Sequence, residues 1–399
     1  MSTTRDRLLA LTAGADAARH AGLAGPLPLR GAVRPGRLGP LAQVVAASGL
    51  RGRGGGWFPL IRKMEAVAAG AGSRPPVVVV NGMEGEPLSE KDTYLLNCAP
   101  HLVMDGATLA AEALGARRIV LAVTGDTYRP LVGGTRPGLR SLLQALARDR
   151  TAYGVDPVEI TVLEGPDRYL SGQETALANW INGGPPVPTT ARPFRKGVDG
   201  RATLVGNVET FAHLALIARR GPEWYRAVGT PDAPGTTLLT VSGAVGHPGV
   251  LEVPLGTPVR DVLTAAGVLT EPSAVLLGGY GGAWMSGRTA TGLTLDPESI
   301  AAAGGALGPG IVHVLPQGAH GLVRTAEIAR WMENQGARQC GPCQFGLRAV
   351  ADDLDSVIRG DAVAGDRLRR RLALLPRRGG CAHPDGVARL VASALEVFA

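Results

Sequence analysis

Three folding textures in series are predicted for this chain: an α/β layer with a largely parallel sheet, a small α+β module, and a helical C-terminal segment. Two patterns predict the order, and length sets the scale. Over the first half, apolar runs of strand length alternate with amphipathic stretches, which is how βα units read. From Thr237 the strands shorten and turn residues crowd between them, and after Gln317 the apolar spacing becomes helical. At 399 residues and 45% hydrophobic the chain is long enough for two or three separate cores.

Pro75-Pro76 leads into Val77–Val80, four β-branched residues that end at Asn81-Gly82 and read as a buried strand. Helical spacing follows from Leu102 to Leu114, then a second strand from Arg118 to Val123. After Pro137-Gly138 come a helix from Leu139 to Arg148 and a third strand from Val158 to Leu163. In the middle of the chain Leu238–Ser242, Gly249–Val253, Val259–Ala266 and Val275–Leu277 read as short strands around one helix. Ala326–Asn334, Phe345–Ile358, Val363–Leu375 and Gly386–Phe398 then make a compact bundle carrying three of the four cysteines. There is no internal repeat and no long linker.

The formal charge of +7 rests on arginine, since Lys63, Lys91 and Lys196 are the only lysines. No basic stripe is interleaved with aromatics, which make up 4% of residues, so the charge does not point to nucleic acid. It favours an acidic protein partner or a phosphorylated ligand. No run of eighteen apolar residues exists, and Met-Ser-Thr-Thr-Arg-Asp lacks the order of a signal peptide, so a cytoplasmic protein is expected. Four cysteines are too few for a disulfide framework. The close pair Cys340 and Cys343 reads as metal-binding or redox-active, and Cys98 as a buried apolar residue.

Four segments carry chemistry. Gly52–Lys63 sets bare backbone beside Arg53, Lys63 and Phe58, a combination suited to a phosphate with a flat ring close by. Asn81, Glu84 and Glu86 follow the Val77–Val80 strand, where ligands of open α/β sheets sit. Tyr169-Leu-Ser-Gly172-Gln173-Glu174 opens a helix whose amides suit an anion or a flavin edge. In Thr203–Thr210, Asn207 and Thr210 lie one turn apart at another helix start. Each segment alone also reads as a surface turn or a helix cap.

Taken in order, the four segments resemble the NADH-binding flavoprotein subunit of respiratory complex I and the related diaphorase subunits of bidirectional hydrogenase and formate dehydrogenase. The C subunit of the Rnf complex is a more distant likeness. The resemblance covers nearly the whole chain: Arg-Gly-Arg-Gly-Gly before Phe58-Pro59, Asn81-x-x-Glu84-Gly-Glu86-Pro87 with Lys91-Asp92, Pro100-His101-Leu102, Gly172-x-Glu174-Thr175, Asn207-Val-Glu-Thr210, Val241-Ser-Gly243 to Val253-Pro-Leu-Gly256, and a cysteine-bearing helical end. It implies an α/β FMN- and dinucleotide-binding domain over 1–232, an SLBB-type β-grasp module over 233–318, and a C-terminal helical iron–sulfur bundle over 319–399. By the same likeness FMN lies on Gly52, Gly54, Lys63, Asn81, Gly172, Asn207 and Thr210. Phe58, Glu86, Glu174 and Phe194 face the dinucleotide, and Arg53, Glu84, Tyr169 and Gln173 belong to the same cofactor-binding loops. The implied activity is that of an NADH dehydrogenase: electrons pass from NAD(P)H through FMN to a [4Fe–4S] cluster and then to a protein acceptor. A ferredoxin or another iron–sulfur subunit of an electron-transfer complex would serve, with the whole peripheral to a membrane complex rather than spanning the membrane.

The chain departs from the family inside the site. Trp57 stands where the family has glycine, and its bulk either stacks on a ligand or fills the dinucleotide pocket. Met83 replaces an aspartate, Gln173 a glutamate, Gly206 an asparagine, and Ala191 a lysine, with Arg192 beside it. An acid lost near a ribose relaxes discrimination against a 2′-phosphate, so NADH and NADPH both stay open. Of the four cluster cysteines Cys340, Cys343 and Cys381 match, whereas the first position is Ala337. His383 could supply a fourth ligand; otherwise the cluster keeps an open iron, shrinks to three irons, or is absent. A helix start before Phe345 is expected to lower the thiol pKa values. Two other readings of the cysteines are a structural Cys₃His zinc site and a thioredoxin-type dithiol. The alternative function is a non-catalytic subunit that keeps the fold as a docking scaffold, motivated by Trp57, Met83 and Ala337.

Overall fold

The computed structural model describes residues 7–31, 33–125, 138–268 and 270–399. β1 (Val77–Gly82), β2 (Arg118–Thr124), β3 (Ile160–Gly165) and β4 (Thr203–Asn207) form a wholly parallel sheet in the order β3-β2-β1-β4. The valines of β1 are buried on both faces, as a central parallel strand requires. β3 starts two residues later than the apolar run suggests, because pairing with β2 begins at Ile119↔Ile160. β4 is a strand where the sequence reads as a loop leading into a helix. Its Gly206-Asn207 end disguises it, and the glycine is required: a Cβ there would stand 2.9 Å from the Phe211 ring.

Two helices, Pro100–Leu114 and Val208–Arg220, pack together against the sheet, and the first is buried along its whole length. They touch backbone to backbone at Gly106, where a Cβ would lie 1.8 Å from the Phe211 carbonyl oxygen. Asp105, buried on the first helix, accepts from His20 at 2.8 Å, Arg150 at 2.7 Å and Arg219 at 2.5 Å, which ties the N-terminal Ala17–Ala24 helix to the layer.

β5 (Thr236–Gly243), β6 (Gly249–Pro254), β7 (Ala274–Leu277), β8 (Ala283–Ser286) and β9 (Ile311–Val314) form a second, mixed sheet in the order β6-β5-β9-β7-β8. Only β5 and β9 pair in parallel. Val259–Ala265 is its expected helix, and two short ones, Gly287–Thr291 and Pro297–Ala302, join it. The C-terminal helices Gly321–Gln335, Leu347–Ile358, Ala362–Leu374 and His383–Phe398 enclose a core of Ile328, Met332, Leu347, Leu354, Leu368 and Val391. Trp284 of β8 reaches into it. Phe345 lies in a wide, π-type turn at Pro342–Gly346 that precedes the second of these helices rather than inside it. Among the described residues no helix is long and apolar enough to cross a membrane.

Trp57 joins the α/β layer to the mixed sheet. Its indole is buried among Leu239, Val241, Leu307 and Val312, its Nε1 donates to the Gly308 carbonyl at 2.9 Å, and the Arg53 guanidinium stacks 4.7 Å from the ring centroid. The backbone there is left-handed, with φ of 50°, which explains glycine as the family residue and marks the tryptophan as strained. The ring therefore points into the second sheet's core. Trp57→Gly should remove a buried aromatic worth roughly 3–5 kcal/mol and regain about 1 kcal/mol of backbone strain. A net loss of roughly 2–4 kcal/mol in urea unfolding is expected; a variant as stable as the parent would show that the indole does not hold the seam.

Candidate flavin crevice and thiol cluster

β1 and β4 are neighbouring parallel strands, and the crevice beyond the carboxyl ends of such strands is where ligands of open α/β sheets sit. Most of the predicted loops meet there. The glycine-rich loop is a hairpin closed by the Gly52 N–H donating to the Phe58 carbonyl at 2.9 Å. At its tip the amides of Gly54, Gly55 and Gly56 have no acceptor among the described residues, the state of a backbone cradle made for an anion. Gly54 leans on Asn207, where a Cβ would stand 3.3 Å from the Asn207 Cβ. Lys63 points along the same crevice and contacts the Glu174 carboxylate and the Val205 carbonyl. Burial pulls its ammonium down to about 8.

Asn81 ends β1 by donating to the Gly172 carbonyl at 2.8 Å and accepting from the Met83 N–H at 3.1 Å. The two loops touch so closely that a Cβ on Gly172 would lie 2.7 Å from the Met83 carbonyl oxygen. The Met83 side chain turns under the sheet among Val79, Leu177 and Trp180, so the position of the missing aspartate has become core. Gln173 caps the Glu174–Ile181 helix, its Oε1 accepting from the Thr175 and Ala176 amides at 2.9 Å, a task an amide performs as well as a carboxylate. Phe58 is 52% exposed and lines a shallow cleft with Pro59, Arg62 and Glu65, while Phe194 packs half-buried on a short helix beside Gly70.

Four of the expected cofactor contacts lie elsewhere. The Arg53 guanidinium, instead of facing an anion, is fully buried against the Tyr225 hydroxyl at 2.7 Å and the Thr236 carbonyl at 3.1 Å. Glu84 caps the Lys91–Cys98 helix through the Asp92 and Thr93 amides. Glu86 turns to the mixed sheet and accepts from the Tyr280 N–H at 3.0 Å. Tyr169 packs edge-on to Trp331 of the helical bundle, 5.8 Å between centroids, and its phenol is held above the ordinary range by burial and the nearby Glu86 carboxylate. All four lie in loops of the expected composition, and burial decides their direction.

The central group of the crevice floor escaped sequence reading. Glu209, in the first turn of the Val208–Arg220 helix, is wholly buried and meets Lys91 Nζ at 2.9 Å, while its other oxygen accepts from the Leu238 N–H at 2.9 Å and the Thr237 hydroxyl at 3.1 Å. Arg53 Nε stands 3.7 Å away. Lys91 also reaches Asp92 at 2.6 Å and Asn207 Oδ1 at 3.3 Å, and Asn207 Nδ2 donates to Asp92 at 2.6 Å. Burial opposes the charge on Lys91, but the Asp92 and Glu209 carboxylates outweigh it and hold Lys91 above the ordinary range. Burial likewise opposes ionisation of Glu209, yet Lys91, His213 and Arg53 bring it down to about 2. Burial, aided by the Glu84 and Glu209 charges, raises Asp92 to about 7 despite Lys91. The one available signal was an acid two residues after a buried strand. Thr210, one residue on, spends its hydroxyl accepting from the Arg53 N–H at 2.9 Å and so fixes the base of the glycine loop.

The bundle, which packs on the Tyr169–Gly172 turn through Trp331 and His383, gathers Cys340, Cys343 and Cys381. Cys343 Sγ accepts from the Arg338 N–H at 3.2 Å and also from the Ala337 amide, and Cys381 accepts from the His383 N–H. Burial raises both thiols, the reverse of the expectation from a helix start, and the amide donors only moderate it. His383 Nε2 donates to the Met332 carbonyl at 2.9 Å, which leaves Nδ1 as the lone-pair nitrogen, buried and without a partner. A Cβ on Gly336 would lie 2.6 Å from Cys343 Sγ and 3.8 Å from His383 Nε2, so ring and thiol flank the same glycine. Among the described residues no three His, Cys, Asp or Glu side chains are drawn together tightly enough for a single ion, unlike the arrangement a mononuclear zinc site needs. Thiols under backbone N–H donors are the surroundings that iron–sulfur sulfurs use.

Comparison with known proteins agrees with both ends. Residues 45–216 match the Nuo51 FMN-binding domain, 238–283 the SLBB domain, and 324–399 the NADH-ubiquinone oxidoreductase-F iron-sulfur binding region. The F subunit of NADH-quinone oxidoreductase from Mycobacterium bovis is 32% identical over 383 residues, covering 89% of this chain and 82% of the relative. Its counterpart from Streptomyces coelicolor is 31% identical over 375 residues, 90% and 81% respectively. Among solved structures, an NAD+-reducing [NiFe]-hydrogenase in the H2-reduced state superposes with a TM-score of 0.78 at 29% identity, covering 89% of this chain; this chain spans 61% of that one. The chain belongs to the family of NADH-quinone oxidoreductase F subunits, with its FMN-binding domain, SLBB domain and iron–sulfur region in the order the sequence implied.

Proposed function

We propose that this chain is the NADH-oxidising subunit of a cytoplasmic multi-subunit complex, moving electrons from NADH through FMN in the β1–β4 crevice to an iron–sulfur centre in the helical bundle. A further iron–sulfur protein, a ferredoxin or another subunit, accepts them. The observation that carries the reading is the unpartnered amide tip of Gly54–Gly56, set over Asn207 and beside Lys63 at the carboxyl ends of adjacent parallel strands. Bound there, a flavin supplies the conversion of one hydride into two single electrons. The chain's own residues place it. Gly54–Gly56 and Lys63 hold a phosphate, Asn81, Gly172 and Asn207 shape the wall for the ring, and the exposed Phe58, with Phe194 and Glu174, faces the dinucleotide. No side chain is required to move a proton to the substrate, because orientation and exclusion of water govern hydride transfer.

Cys340, Cys343 and Cys381 are the protein thiolates for the iron–sulfur group, and His383 Nδ1, a buried lone pair without a partner, supplies the ligand that Ala337 cannot. The scaffold reading loses one of its grounds, since Trp57 lies in the core of the mixed sheet.

Protein purified anaerobically should be coloured, with flavin and broad iron–sulfur absorbance, and NADH should bleach the flavin; a colourless sample would overturn the reading. FMN affinity should fall roughly tenfold between pH 7 and 9, since the Lys63 ammonium is lost on passing about 8 and a bound phosphate would hold it protonated. Equilibrium dialysis of the Lys63→Gln variant should give a flat profile over that range. His383→Ala should shift or abolish the EPR signal of the reduced cluster, and an identical spectrum would remove His383 from the ligand set.

A further inference from the structure

We infer that Lys63 is a modification site: in the flavin-free chain the glycine cradle binds an acyl phosphate, and Lys63 takes its acyl group. The inference shares the phosphate cradle with the reading above and needs no electron transfer. The amides of Gly54, Gly55 and Gly56, without an acceptor among the described residues, present N–H groups to an anion. Packing fixes where they stand, since Gly54 leans on Asn207 and a Cβ on Gly55 would lie 3.4 Å from the Gly308 backbone. Lys63 Nζ is 3.3 Å from the Val205 carbonyl. Val205 and Asn207 are two residues apart on β4, so cradle and amine are anchored roughly 7 Å apart along the strand. An acyl phosphate bridges such a gap, because its carbonyl carbon is one oxygen removed from phosphorus.

The chain has three lysines, and their surroundings separate them. Lys91 is 1% exposed, with its ammonium bonded to Asp92 at 2.6 Å and Glu209 at 2.9 Å, which holds the proton on nitrogen. Lys196 is exposed at the end of the short Pro193–Lys196 helix. Lys63 differs from both, its side chain 28% exposed, open enough to react yet stripped of most of its water. Burial brings its ammonium to about 8, so about a tenth of the amine is unprotonated at pH 7. Glu174 is the one carboxylate it meets among the described residues, and at 42% exposure that pair holds the proton weakly. The step balances without a further reactant. The neutral nitrogen attacks the carbonyl carbon, a C–N bond forms, the bond from that carbon to the phosphate oxygen breaks, inorganic phosphate leaves, and the proton on nitrogen passes to water. The resulting amide is uncharged, so the pair with Glu174 is lost and the cradle loses the cation that would hold another phosphate. Acylation and flavin loading therefore exclude each other.

The test uses the full chain with its flavin removed, acetyl phosphate as the probe, and acetic anhydride, an acyl donor without phosphate, as the control. Peptide mass spectrometry reads each lysine separately. The ratio of Lys63 to Lys196 acetylation should be about tenfold higher with acetyl phosphate than with the anhydride, and Lys91 should stay unmodified. Saturating inorganic phosphate, compared with chloride at equal ionic strength, should return that ratio to the anhydride value, and FMN should protect Lys63 in the same way. An equal ratio for the two donors, or Lys63 acetylation that inorganic phosphate leaves unchanged, would overturn the proposal. If phosphate protects Lys63 and FMN does not, the acylation site stands and the flavin reading fails. If FMN protects Lys63 from both donors at an equal ratio, the flavin reading stands and the acylation site is lost.

Discussion

A single buried carboxylate organises the molecule. Glu209 sits at the start of a helix, where the macrodipole favours an anion, and holds Lys91 from the loop after β1 while accepting from the first residues of β5. A carboxylate taken out of water costs several kcal/mol unless its lone pairs are met, so these partners are held to fixed positions. The consequence is geometric. The loop after β1, the helix after β4 and the opening strand of the mixed sheet cannot move independently, and the crevice lies among them.

That constraint explains how the glycine-rich loop can be both bare and ordered. Its tip has no internal hydrogen bonds, yet its base is pinned twice: the Arg53 N–H donates to Thr210, and the Arg53 guanidinium is spent on Tyr225 and Thr236. Trp57 adds a third anchor through Gly308. An arginine that looks like a phosphate ligand in sequence is thus the strut that holds amides open for one, and the mobile charge at the crevice is left to Lys63. Preorganised amides have no reorganisation cost when an anion arrives, whereas a flexible glycine loop would have to be ordered first.

The parts legible in the sequence were those governed by short-range pattern. Val77–Val80, the Pro100–Leu114 helix and the C-terminal helices declare themselves by apolar spacing, and the ordered loops declare the family because their spacing is rarely repeated by chance. The misread parts depend on long-range contact. Thr203–Asn207 becomes a strand only because β1 is there to pair with it, and its Gly206 is selected by the ring of Phe211, five residues away in sequence but across the turn from strand to helix. Glu84, Glu86 and Tyr169 have the right residue types in the right loops; which way each points is settled by burial against helices and sheets that composition does not reveal. Trp57 was readable as an anomaly but not as a peg, since its receiving core is assembled from residues some two hundred positions later.

The same reasoning bears on the loss of a cysteine at Ala337. A cluster ligand can be dropped only if the site remains shaped without it, and here the shape comes from backbone: amides of Ala337 and Arg338 converge on Cys343, and the His383 amide on Cys381. Those donors favour thiolate sulfur over thiol whichever side chain occupies position 337. His383 occupies the first turn of the last helix, buried, with one nitrogen fixed by the Met332 carbonyl so that the other must keep its lone pair. A buried imidazole nitrogen with no donor facing it loses the hydrogen bond it had in water, a cost of about 1–3 kcal/mol that an apolar side chain at the same place would avoid. On the reading proposed above, that cost, met beside three thiols that lack a fourth, argues for a ligand rather than a packing residue.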